Sequence, residues 1–195
     1  MEGKLIIFSA PSGAGKTTIV KHLLGKYPDK LAFSISASTR TPRSNEVDGK
    51  DYYFISKESF LHKIAQKEFV EFEEVYSGTF YGTLRSEIDR IWAEGKIVVF
   101  DIDVIGGLHL KRKFGKQALA IFVQPPSLDV LIDRLRSRGT DSEEKLGERI
   151  EKADKELKFA KEFDVILENN LLEEACAEAE ELVELFSTNR IVVNS

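Results

Sequence analysis

Four short, largely apolar runs punctuate the chain, at Leu5–Phe8, Ile97–Asp101, Ala118–Val123 and Val165–Leu167. Runs of this length without polar alternation suit strands covered on both faces, and helical patterns lie between or after them. The alternation predicts an α/β fold, a parallel sheet flanked by helices. Phe33–Ser36, Tyr52–Ile55 and Phe69–Phe72 behave differently: they read as short strands separated by turns and one helix at about Lys57–Gln66. Together they suggest a mixed insertion leaning off the parallel core. Further on, Ser127 is placed to cap a helix at Leu128–Ser137, where Leu128, Leu131, Ile132 and Leu135 make an apolar stripe. Gly139 interrupts the chain before a charged helix expected from about Ser142 to Phe163. A last amphipathic helix spans Leu172–Phe186, with Leu172, Ala175, Ala179, Leu182, Leu185 and Phe186 as its inner face. Ile191–Ser195 has no readable pattern, and there is no repeat or low-complexity segment.

The 195 residues are 42% hydrophobic, enough for one domain with smaller subdomains. A lone cysteine, Cys176, excludes an internal disulfide and fits a reducing compartment. Met1–Lys4 lacks a basic leader, and the apolar run after it is too short for a signal peptide or membrane span. The expectation is therefore a soluble cytoplasmic protein with no membrane partner. A net charge of −5 argues against a general nucleic-acid binder. A polyanionic ligand would have to be held by local positive charge, so the placement of each arginine matters.

The first apolar run breaks into Ser9-Ala10-Pro11-Ser12-Gly13-Ala14-Gly15-Lys16-Thr17-Thr18. From Ala10 to Thr17 the spacing is A-x-x-x-x-G-K-T, the phosphate-binding loop pattern with Ala for the first Gly. Gly13 and Gly15 allow successive N–H groups to turn towards one anion. Lys16 supplies a point charge for the β/γ-phosphates, and Thr17 a hydroxyl for Mg²⁺. A helix from about Lys16 to Leu24 would point its positive dipole end at the same phosphates. A plain glycine turn would explain the glycines but not the ordered Lys-Thr between a strand and a helix. Such a loop fits ATPases, GTPases and small-molecule kinases alike.

Two other segments add chemistry. The run at Ile97 ends in Asp101-Ile102-Asp103. Ligands of parallel sheets sit at the carboxyl ends of strands, so Asp101 is placed to orient a metal or its water and Asp103 faces the same way. In Ser36-Ala37-Ser38-Thr39-Arg40-Thr41-Pro42-Arg43, two guanidinium groups share a loop stiffened by Pro42. Their forked donors suit a phosphate. Glu46–Phe54 follows as a turn at Asp48-Gly49 into a strand with Tyr52 and Tyr53.

With these motifs in order, the chain resembles the guanylate kinase family. The resemblance rests on Ser9–Thr18, S-A-S-T-R-T-P-R at Ser36–Arg43, E-V-D-G-K-D-Y-Y-F at Glu46–Phe54, F-Y-G-T at Phe80–Thr83, Asp101–Asp103 and R-L-R-S-R-G-T at Arg134–Thr140, spread over residues 4–170. It implies a core of residues 1–33, 97–126 and 155–190, a GMP-binding subdomain at 34–96 and a lid at 127–154. The implied reaction transfers the γ-phosphoryl group of ATP to GMP with Mg²⁺. The implied ATP site is Ala10, Pro11, Ser12, Gly13, Ala14, Gly15, Lys16, Thr17 and Thr18, with Thr17 and Asp101 on the metal. Arg40, Arg43, Tyr52 and Tyr81 would hold the GMP phosphate, while Ser36, Glu71 and Thr83 meet the base and Asp103 belongs to the same GMP site. Guanine offers N1–H and its 2-amino group to an ionised carboxylate, which only accepts, whereas adenine turns an unprotonated N1 to it. Glu71 fits by its hydrophobic-Glu-aromatic setting, with Glu73 and Glu74 as neighbouring alternatives.

Lys16, Arg134, Arg138 and Arg149 would stabilise the transferring group; Arg134 and Arg138 are four apart and share a helix face. Arg136 reads as a solvated helix arginine. The family's Asn-Asp-like turn near adenine is replaced by Glu168-Asn169-Asn170. The alternative is an inactive guanylate-kinase-like module that binds phosphopeptides, against which the intact Gly13, Gly15, Lys16 and Thr17 weigh. Oligomeric state, monomer or homo-oligomer, is left open.

Overall fold

All five residues of the first strand, β1 (Leu5–Ser9), are buried, and its side chains divide by parity between two cores. Ile6 and Phe8 enter one apolar cluster, Leu5 and Ile7 another on the opposite face. An unalternating run is thus what a strand with helices on both faces requires. The computed structural model describes residues 3–44, 46–76, 78–137, 143–191 and 193. After β1 come α1 (Lys16–Lys26), β2 (Leu31–Phe33), β3 (Ala37–Ser38), β4 (Tyr53–Phe54), α2 (Lys57–Ala65), β5 (Phe69–Tyr76), β6 (Thr79–Leu84), α3 (Arg85–Ala93) and β7 (Ile97–Ile102). The order continues with α4 (Val104–Phe114), β8 (Ala118–Gln124), α5 (Leu128–Ser137), α6 (Glu143–Leu157), β9 (Val165–Glu168) and α7 (Leu172–Ser187).

Among the described residues, five strands form a parallel sheet in the order β2-β7-β1-β8-β9. Helices α1, α5 and α7 cover one face, around Ile6, Phe8, Ile121 and Leu167; α3 and α4 cover the other through Ile88, Ile91 and Leu110. A second, mixed sheet has the order β4-β3-β6-β5, with β3–β4 parallel and both pairs at β6 antiparallel. It packs on α2 through Phe60, Phe69 and Phe80, with the Phe60 and Phe69 rings stacked at 4.2 Å.

Four expectations are adjusted. The strand expected at Phe33–Ser36 straddles the junction of the two sheets: Ser34 N still donates to Val99 O (2.9 Å), but Ile35 N turns to the Glu87 carboxylate (3.2 Å). The charged helix expected to Phe163 stops at Leu157. There the chain must turn so that Asp164 meets Ala120 N (2.8 Å) and Lys111 Nζ (2.9 Å), while Phe163 packs on Phe122 at 5.3 Å between ring centres. On α7 the inner face is Ala175, Cys176, Ala179, Leu182, Val183 and Phe186; Leu172, at the helix's first position, is 38% exposed. The tail has a role too, since Ile191 and buried Val193 pack on the larger core.

Strand β6 had no recognisable pattern because Gly82 sits in its middle. A Cβ there would lie 2.9 Å from Glu71 O and 2.9 Å from the Phe69 ring, so the close approach of β5 and β6 demands glycine. The register of this pair shifts between Phe69 and Glu71 and again between Glu74 and Tyr76. Bulges of this kind re-aim side chains.

Candidate functional site

Strands β1 and β7 are neighbours in the sheet, so their carboxyl ends bring the phosphate-binding loop beside Asp101 and Asp103. Gly13 and Gly15 both adopt φ 93°, the left-handed region where a side chain would be strained. Space is closed as well: a Cβ on Gly15 would lie 2.1 Å from Asn169 Nδ2, and one on Gly13 3.1 Å from Leu131 and Leu135. The loop therefore rests on α5 and on Asn169, whose amide donates to Ala14 O (2.7 Å). Helix α1 starts at Lys16, directly behind the loop.

On the other side, Thr83 stands opposite Glu71 in the β5–β6 ladder, and its hydroxyl donates to Glu71 Oε1 (2.8 Å). Burial pushes the Glu71 carboxyl up to about 7; the Thr83 hydrogen bond opposes this and the Asp103 charge adds to it. Glu73 is raised by the same two causes, burial first and then Asp103. Glu74 is exposed and accepts from Gly78 N (2.6 Å), which ties it into the turn.

One cavity of about 440 Å³ lies between these walls. Ala10, Pro11, Ser12, Gly13, Gly15, Lys16, Thr17 and Thr18 line one side; Ser36, Arg43, Tyr52, Glu71 and Tyr81 line the other. Asp101 and Asp103 form its floor and Arg149 reaches it from α6. At the floor, Lys16 Nζ and Thr17 Oγ1 both contact the Asp101 carboxylate, Thr17 at 2.6 Å. Burial lowers Lys16 to about 8, opposed by the Asp103 and Glu156 carboxylates. Asp103 also caps α4 by accepting from Gly106 N (2.9 Å).

Other candidates stand apart from the cavity wall. Ala14 is fully buried behind the loop. Thr83 is also fully buried and reaches the cavity only through Glu71. Arg40 is gripped by Glu46, with two contacts of 2.6 Å, and its Nε donates to Tyr81 Oη (3.0 Å). Arg134 Nη2 donates to Asn169 O (3.0 Å), bracing the turn under the loop. Arg138, with the Gly139-Thr140 break, lies outside the described residues.

Glu73, named as an alternative to Glu71, also lines the wall, and four wall residues were not anticipated: Gly82, Ile102, Lys152 and Glu156. Arg149, Lys152 and Glu156 follow i, i+3, i+7 spacing on α6, a helical-face signal that marks all three once Arg149 is noticed. Glu46, the first residue of the Glu46–Phe54 motif, and Asn169, in the turn after β9, act behind the wall, and nothing local assigns them these contacts.

The comparisons with known proteins bear on this arrangement. A family model described as guanylate kinase matches residues 2–185. The chain belongs to the guanylate kinase family. A guanylate kinase of Bacteroides fragilis is 49% identical over 185 residues, covering 95% of this chain and 90% of the relative. One from Porphyromonas gingivalis is 50% identical over 167 residues, covering 86% and 89%. Among solved structures, the guanylate kinase of Anaplasma phagocytophilum aligns over 97% of both chains with a TM-score of 0.71 at 24% identity, a likeness of fold. No helix among the described residues is long and apolar enough to cross a membrane.

Proposed function

We infer that the protein is a working guanylate kinase, transferring the γ-phosphoryl group of ATP to GMP to give ADP and GDP in a Mg²⁺-dependent reaction. The observation that carries this reading is a single cavity with a complete phosphate loop on one wall and the buried Glu71–Thr83 pair on the facing one. ATP would lie with its phosphates on Gly13–Thr18. GMP would enter from the second sheet, its phosphate on Arg43, Tyr52 and Tyr81 and its base on Glu71. Glu71 accepts from guanine N1–H and the 2-amino group, and Thr83 fixes the carboxylate's rotation by donating to its other side. Ser36 and Asp103 stand beside the same pocket as further partners for the base.

Phosphoryl transfer leaves little covalent work for the protein; positioning and charge stabilisation are its contribution. Lys16 lies where negative charge develops on the phosphates, in a buried setting that strengthens each interaction. Arg149 adds a second cation from α6. Arg134, held on Asn169 O, and Arg138 are the remaining lid cations of this reading.

The hard oxygen donors at the cavity floor, Thr17 Oγ1 and Asp101, fit Mg²⁺, which usually takes one or two protein ligands and completes its shell with phosphates and water. When bound, the ion neutralises charge shared by the β- and γ-phosphates. Lys16, now on the Asp101 carboxylate, would transfer its contact to the phosphates. Cys176, reduced and buried in the core, fits the cytoplasm as the compartment.

A coupled assay of ADP formation, with ATP, Mg²⁺ and GMP or AMP, tests the reading. GMP should be turned over and AMP poorly; equal rates would overturn the base assignment. No turnover with any acceptor would favour a binding module.

A further inference from the structure

Among the described residues the Arg40 guanidinium makes four hydrogen bonds: Nε to Tyr81 Oη (3.0 Å), Nη1 to Thr41 O (3.1 Å) and Glu46 Oε2 (2.6 Å), and Nη2 to Glu46 Oε1 (2.6 Å). A guanidinium has five N–H groups in a rigid fork, so one N–H, on Nη2, is not engaged by the described residues. The two-point edge that suits a phosphate is already taken by a carboxylate. Glu46 Oε2 also accepts the Arg43 backbone N–H (2.8 Å), so one side chain ties together both arginine positions of the loop. The pair is sheltered, with 17% of the Arg40 and 12% of the Glu46 side chain exposed. The guanidinium is further held by the Tyr52 ring (4.9 Å to its centre) and the Phe54 ring (5.3 Å). Hydrogen bonding to Arg40 holds the Glu46 carboxyl down at about 2, so it stays ionised across the working pH range.

We propose that Glu46 is a positioning residue for the acceptor phosphate: it locks Arg40 and the backbone of Arg43 in place, so that Arg43 is the forked cation at the cavity and Arg40 a one-point donor acting with Tyr81. The inference rests on GMP being the acceptor. The same contacts would suit a competitor that the phosphate must displace, but two observations favour the positioning role. Releasing Glu46 would orphan the Arg43 N–H as well as a sheltered charge, a costly exchange. Arg43, not Arg40, lines the cavity.

The experiment measures GMP affinity by calorimetry, together with KM and kcat for GMP and ATP, on the full chain. Glu46→Gln should raise the KM and Kd for GMP about tenfold or more, while kcat and the KM for ATP change less than about threefold. Glu46→Asp keeps the charge but loses reach and should fall between. If Glu46 works through Arg40, adding Glu46→Gln to Arg40→Ala should weaken GMP binding little further. Unchanged or tighter GMP binding in Glu46→Gln, an equal rise in the KM for ATP, or additive effects in the double variant would overturn the proposal. Should Glu46→Gln not fold, wild-type GMP affinity in Glu46→Asp would overturn it instead. Failure of the unaltered protein to bind GMP is a separate result, and it would remove the acceptor reading itself.

Discussion

Glu71 offers the sharpest test, because burial and function pull its proton in opposite directions. In the ligand-free protein its carboxyl lies at about 7, against an ordinary 4.5. Between those two values the folded state binds more protons than the unfolded one, so stability falls as pH rises through the window. Above it the buried charge costs about 3 kcal/mol, from roughly 2.5 pKa units at 1.36 kcal/mol each. Glu71→Gln removes that cost and keeps an acceptor for the Thr83 hydroxyl. The amide's own N–H₂ needs a partner, so 3 kcal/mol is a ceiling.

The variant should therefore melt higher than the parent at pH 8, by up to about 6–12 °C for a chain of this size, and show little gain near pH 4.5. GMP binding should move the other way. Guanine needs the ionised form, and for a group titrating near 7 the affinity should fall about tenfold between pH 8 and pH 6. The GMP phosphate itself titrates near pH ~6, but that contribution persists in Glu71→Gln and cancels in the comparison. Melting curves and KM for GMP at each pH, for both proteins, complete the assay. A variant that is no more stable at pH 8, or that keeps the parent's steep pH dependence of KM, would refute the reasoning. An unchanged preference for GMP over AMP would move the base contact to Glu73.

Three further predictions address the rest of the molecule. Lys16→Ala should lower kcat about 10²–10³-fold, the scale of removing one preorganised charge donor, and a near-normal kcat would show that the transferring phosphates do not rest on it. Gly82→Ala places a Cβ 2.9 Å from Glu71 O, so it should push β5 from β6 and raise the KM for GMP well above any change for ATP; equal changes would count against a separate acceptor wall. Lys111→Met leaves Asp164 buried without the ammonium now 2.9 Å away, and should cost about 3–5 kcal/mol in chemical denaturation with little effect on the KM values.

Much of the candidate site was legible because its signals are local. The phosphate loop shows in spacing alone, since glycines at fixed offsets before Lys-Thr answer a backbone need that no distant residue can meet. The α/β core was equally plain, because strands buried on both faces, such as Leu5–Phe8, require unbroken apolar runs. The second sheet was only half visible: β6 carries a glycine that strand propensity argues against, and only the approach of β5 explains it. Least legible were the supporting contacts. Nothing near Glu46 marks it as the carboxylate on Arg40, and nothing near Asn169 places its amide 155 residues away on Ala14 O. Which of Glu71, Glu73 and Glu74 can face a ligand likewise depends on the fold, which sets Thr83 opposite Glu71, puts both Glu71 and Glu73 on the cavity wall and ties Glu74 to the turn. The sequence by itself determined which chemical groups the chain owns and which local backbone shapes they require. The tertiary structure decided which groups are buried together, and hence which charges are shifted, paired or left to meet a ligand, because those energies depend on neighbours that only folding supplies.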